Sequence, residues 1–167
     1  MGPELAAAFA MNGYETTIAG RAPAVRDAAA ARATGLADGR PVTPAPIDTP
    51  TFDGVDVVVE TIVEDLAVKH ELFRRIEPWC HPATVIATNT SSLTIGEIAA
   101  SLQRPERFAG LHFLKPGHLT GVVEIIPGPE TSDGTIALLR DVAVRMGKAP
   151  LVAKRDVPRF IWNRIQF

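Results

Sequence analysis

Two ionisable side chains stand where apolar ones are expected. His112 ends the run "RFAGLH", and Glu124 sits inside "GVVEII", twelve positions later. An imidazole exchanges its proton near neutral pH, since its ordinary pKa is about 6.5. A carboxylate within a buried strand is costly unless something pairs with it. Each has a bland reading by itself: a core histidine with a satisfied ring, or a glutamate whose position is misjudged. So close together they ask for a joint explanation, and acid–base work on a proton is the chemistry these two residue types can share.

The elements that must hold them alternate. An Ala-rich helix from Glu4 to Asn12 ends at Gly13, followed by the strand "ETTIAG" and a second Ala-rich helix, "APAVRDAAAARATG", with Pro23 in its first turn and Gly35 just past its end. A Pro-rich connection with one short strand leads to "VDVVVE", a continuous apolar run of the kind a parallel strand covered on both faces requires. Next come a helix with Leu66, Leu72, Phe73 and Ile76 on one stripe, the strand "TVIAT", the polar loop "NTSS", and a helix ending near Leu102 that Thr94 and Glu97 open with a capping box. The strands "RFAGLHFL" and "GVVEII", a helix from about Ser132 to Met146 with Gly147 behind it, the strand "LVAK" and the segment "PRFIWNRIQF" complete the chain. Strands alternating with helices predict an α/β, doubly wound, mostly parallel sheet, whose ligands sit beyond the carboxyl ends of the strands. The informative positions are then Gly20–Arg21, Glu60–Thr61, Asn89 to Ser92, and His112 to Lys115.

Composition narrows the function. The chain has 167 residues, enough for one domain with a sizeable core, and a net charge of −2. There is no basic excess to hold nucleic acid or an anionic membrane. The single cysteine, Cys80, allows no internal disulfide and no cysteine-based metal cluster. His70, His81 and His118 have no partners at metal-ligand spacing, so no metal is expected. The apolar opening "MGPELAAAFAMN" lacks a basic flank and contains Glu4, which argues against a signal peptide; Ala6 stands where myristoylation wants Ser or Thr. No run approaches the roughly 20 residues of a spanning helix, and a cytoplasmic location is expected.

The blocks "VETIVEDLAVKHELF", "ATNTSSLTIGEIA", "RPERFAGLHFLKP", "VVEIIPGPETS" and "VPRFIWNRI" resemble, in order and spacing, the NAD-binding domain of the 3-hydroxyacyl-CoA dehydrogenase family, a family of fatty acid β-oxidation. The resemblance runs from Gly2 to the end and implies a Rossmann-like fold. Residues 1–156 would be the dinucleotide-binding domain and 157–167 the start of a helical domain through which the full-length parent dimerises. Such folds open with a strand and G-x-G-x-x-G, and Gly2 matches the third glycine, so the first strand and two glycines are expected to precede this sequence, as a helical domain is expected to follow it. The resemblance makes His112 the general base and Glu124 the residue that orients it. It places Ser91 on the reacting oxygen, where the alternative is helix entry, and Asn163 near that oxygen. Gly2, Thr61, Glu64, Lys69 and Asn89 become cofactor contacts; a solvated Glu64–Lys69 pair is the plainer reading of two of them. The implied substrate is a small molecule, an acyl-CoA or a hydroxy acid.

The sequence departs from that pattern in three places. The second strand ends in Gly20–Arg21 where the family has an acid for the adenosine ribose. Loss of the carboxylate beside a retained cation is how NADP is accommodated in other folds of this kind, so the cofactor reads as NAD with NADP open. Lys115 replaces an asparagine after the histidine, and Arg159 a glycine in the last block. Both add positive charge at the expected substrate mouth, suiting a carboxylate-bearing substrate if they face it and nothing if they face solvent. Two further functions compete with NAD(P)-dependent dehydrogenation. One is a non-catalytic dinucleotide-binding or structural protein on the same fold. The other, oxidative decarboxylation, is disfavoured because His112 and Glu124 stand in place of a lysine base.

Overall fold

The computed structural model describes residues 1–47, 52–158 and 160. Helix α1 (Gly2–Met11) begins with Pro3 in its first turn and ends where Gly13 takes φ +80°. Its Ala6, Ala7 and Ala10 pack on Ala30 and Ala33 of α2 (Pro23–Leu36), small side chains that let the two helices approach closely. Gly35 lies within α2, and the chain turns later, at Asp38 and Gly39 with φ +53° and +80°. The glycine signal was thus displaced by four residues: Ala33 and Ala37 are fully buried, and their packing carries the helix past it.

Strand β1 (Thr16–Gly20) pairs in parallel with β2 (Val42–Pro46) as one small sheet. A second sheet has the order β3 (Val57–Glu60), β4 (Val85–Thr88), β5 (Phe108–Phe113), β6 (Val122–Pro127), β7 (Ala149–Val152). All its pairings are parallel except β5 with β6. A cleft of about 1110 Å³ separates the two sheets. Every residue of Thr16–Ala19 and of Val57–Glu60 lines it, whereas a sheet face would present only alternate residues, so the cleft runs between two strand edges.

Helices α3 (Leu66–Ile76), α4 (Ile95–Ala99) and α5 (Asp133–Arg145) complete the layers. Alternation along the strands sends Val85, Ala87, Leu111, Val123 and Ile125 to one face, packed with Leu5 of α1 and Leu139 of α5. It sends Ile86, Phe108 and Ile126 to the other, packed with Phe73 of α3 and Ile98 of α4. Helices cover both faces, as the doubly wound reading requires. The capping box at Thr94 and Glu97 is formed, but α4 stops at Ala99, three residues short of the expected end. Gly147, φ +68°, follows α5 as expected.

Candidate active site

Strand register brings the two unusual residues together. His112 and Glu124 are direct partners across the antiparallel β5–β6 pair, on the face shared with Phe108 and Ile126. His112 Nδ1 lies 2.7 Å from Glu124 Oε2, with the two side chains 7% and 0% exposed. A carboxylate only accepts, so Nδ1 carries the hydrogen and donates it, which leaves Nε2 as the ring's acceptor. The ring of Phe160 packs 5.5 Å from the imidazole, closing one side. Next to His112, the Phe113 amide donates to Asn89 Oδ1 at 2.9 Å, so Asn89 ties the end of β4 to β5.

Beside this pair lies a buried polar cluster at the carboxyl ends of β3 and β4. Lys69, on the buried stripe of α3, donates to both oxygens of Glu60 at 2.7 Å, and both side chains are 1% exposed. Glu60 also accepts from the Thr88 hydroxyl at 2.6 Å and from the Ile62 amide at 2.6 Å. Lys69 Nζ reaches Glu64 at 3.4 Å. Glu64 Oε1 in turn accepts from the Thr90 hydroxyl, from the Ser91 and Ser92 amides, and from the Ser92 hydroxyl, at 2.5 to 2.9 Å. Burial would raise the Glu64 carboxyl, but these donors and the Lys69 charge outweigh it and hold the group down at about 2.

Glu64 and Lys69 are therefore not a solvated pair. Lys69 is sealed beneath the surface, and Glu64 works as the pin of the "NTSS" loop that carries Ser91. The helix entry is made by Thr94, which leaves the Ser91 amide to Glu64. From the far end of the chain, Asp156 accepts from the Ile95 and Gly96 amides at 2.9 and 2.7 Å and fixes the start of α4. Asp156 is a site residue that pattern reading missed, and Glu60, singled out by its place at the end of β3, was given no partner or role. The only signal for Glu60 was an acid closing an apolar run.

Gly2 stands at the amino end of α1, where an added Cβ would lie 3.1 Å from Thr61 Oγ1. That closeness lets the helix start abut the end of β3. The residues at this edge fit a dinucleotide. Gly20 ends β1 and Arg21 follows it, exposed, on the rim of a separate cleft of about 200 Å³. Lys115 is exposed, while Arg159 and Asn163, with most of the segment 157–167, lie outside the described residues. Cys80 is buried, and burial, offset in part by Arg104 and reinforced by Glu77, pushes its thiol up to about 11. His70 Nε2 meets the Glu97 carbonyl at 2.7 Å, and His81 Nδ1 accepts from the Ala83 amide. Among the described residues no group of three ligating side chains could hold a metal, and no helix is long and apolar enough to cross a membrane.

The sequence model for "3-hydroxyacyl-CoA dehydrogenase, NAD binding domain" matches residues 1–157. Among solved structures, the 5-dehydrogenase of 5-formyl-3-hydroxy-2-methylpyridine 4-carboxylic acid, an NAD+-dependent dismutase, superposes with a TM-score of 0.92 at 29% identity, over 99% of this chain and 58% of its own. The (S)-3-hydroxybutyryl-CoA dehydrogenase of Ralstonia eutropha gives 0.90 at 27% identity, over 99% and 64%. The 3-hydroxybutyryl-CoA dehydrogenase of Escherichia coli gives 0.88 at 28%, over 99% and 38%. The chain thus spans less than two thirds of the length of each of these relatives.

Proposed function

The chain belongs to the 3-hydroxyacyl-CoA dehydrogenase family through its NAD-binding domain, and from that premise we propose that it oxidises a 3-hydroxyacyl-CoA, or a related free 3-hydroxy acid, to the 3-keto product. The observation that carries this reading is the 2.7 Å contact between His112 Nδ1 and Glu124 Oε2 in a buried setting. Oxidation of a secondary alcohol removes a hydride from carbon and a proton from oxygen. Bound NAD supplies the acceptor for the hydride. His112 Nε2 takes the hydroxyl proton, and Glu124, holding the opposite nitrogen, keeps the ring in the accepting tautomer and balances the imidazolium that forms. Ser91 donates to the reacting oxygen and steadies it as it becomes a carbonyl. Glu64 acts one step back as a positioning residue, since its contacts with Thr90, Ser91 and Ser92 set where that hydroxyl points.

Lys115 is exposed just beyond β5, so its charge does not choose between a free acid and a CoA thioester. The test is turnover of a panel of 3-hydroxyacyl-CoA thioesters and free 3-hydroxy acids, followed as NADH formation. His112→Ala should lower kcat/KM by about 100-fold or more, with NAD+ affinity unchanged. Glu124→Gln should lower it by a smaller factor. Cofactor binding without turnover of any member of the panel would instead favour a non-catalytic dinucleotide-binding protein.

A further inference from the structure

The cleft of about 200 Å³ at the carboxyl ends of β1 and β3 has an apolar wall and a cationic rim. Ile62 and Val63, which follow β3, form part of the wall and are 40% and 65% exposed, large apolar side chains left open at the mouth. A flat heteroaromatic ring would cover them. On the rim stand Arg21, directly after β1, and Arg75, from the last turn of α3. Glu71 is the one carboxylate lining this cleft among the described residues. Gly20 closes β1 without a side chain, and a Cβ added there would lie 3.3 Å from Cβ of Arg26. The space that a ribose-binding acid would use is thus bordered by the Arg26 stem, whose Nε is paired with Asp27 at 2.9 Å.

Resting on the dinucleotide reading above, we infer that this cleft selects an adenosine phosphorylated at its ribose 2′ oxygen, so that NADP is bound in preference to NAD. An unmodified ribose offers 2′ and 3′ hydroxyls that want an acceptor, and Gly20 supplies none. A 2′-phosphate brings a charge of about −1.5 to −2 and three acceptor oxygens. A guanidinium matches those oxygens with a planar fork of donors, and Arg21, exposed directly after β1, is placed on the rim to supply it. The preference therefore comes from two changes that act together, a lost carboxylate and a gained fork.

Isothermal titration of the chain with NADP+ and NAD+, and with adenosine 2′-monophosphate against the 5′-monophosphate, tests this without any turnover. The expected result is at least tenfold tighter binding of NADP+, with the same order for the two monophosphates. Arg21→Ala should bring the NADP+/NAD+ ratio close to one, and Gly20→Asp should invert it. Equal or tighter binding of NAD+ overturns the inference while leaving the dinucleotide reading intact. Binding of neither dinucleotide overturns both. An NADP+ preference that survives both Arg21→Ala and Arg75→Ala overturns the assignment to this cleft.

Discussion

Lys69→Met removes the ammonium from a pair in which both side chains are 1% exposed. Glu60 would keep the Thr88 hydroxyl and the Ile62 amide but lose both contacts to Nζ, leaving a carboxylate buried with no counter-charge. Breaking a buried pair from one side costs about 3–5 kcal/mol, because the stranded charge has already lost its water. The reverse change, Glu60→Gln, should cost less, since Lys69 retains Glu64 at 3.4 Å. In the double variant Lys69→Met/Glu60→Gln no stranded charge remains at position 60, while Glu64 keeps its hydrogen-bond donors, and most of the loss should return, giving a coupling energy of about 2 kcal/mol or more. Urea unfolding followed by tryptophan fluorescence reads all four corners of the cycle. With a slope of about 2 kcal/mol per molar, Lys69→Met should move the midpoint by about 2 M. A Lys69→Met shift below about 0.5 M, or a double variant no more stable than the sum of the singles predicts, would refute the argument that Lys69 compensates the buried charge of Glu60.

The depressed carboxyl of Glu64 makes stability depend on pH in a stated direction. Its folded value of about 2 lies below the ordinary 4.5, so its contribution is fully present above about 4.5 and disappears as pH falls through about 2. With 34% of the side chain exposed, solvent screening limits that contribution to about 1–2 kcal/mol; the gap between the wild type and Glu64→Gln should hold from neutral pH to about 4.5 and close towards pH 2, and a gap independent of pH would contradict it. Gly110→Ala should destabilise by about 1–3 kcal/mol, since its Cβ would lie 2.8 Å from Ile95 Cδ1 and 3.1 Å from Ile126 Cβ in a packed layer; an unchanged melting temperature would show that this layer yields freely.

Sequence alone determined what depends on neighbours a few residues apart. The alternation of strands and helices follows from hydrophobic period, the Thr94–Glu97 box from a spacing of three, and the turn at Gly13 from the backbone freedom that glycine has. Resemblance in five blocks implied roles for His112 and Glu124, while their opposition across β5 and β6 is a matter of register. Only the tertiary structure decided which charges meet. Nothing along the chain says that Lys69 turns inward to Glu60, or that Glu64 folds over a loop 26 to 28 residues away to grip Thr90, Ser91 and Ser92. Gly35 errs for the same reason, since burial of Ala33 and Ala37 carries α2 beyond it. Local rules are set by contacts within one turn or one strand, whereas pairing across a crossover depends on register and layer packing that no short stretch of sequence contains.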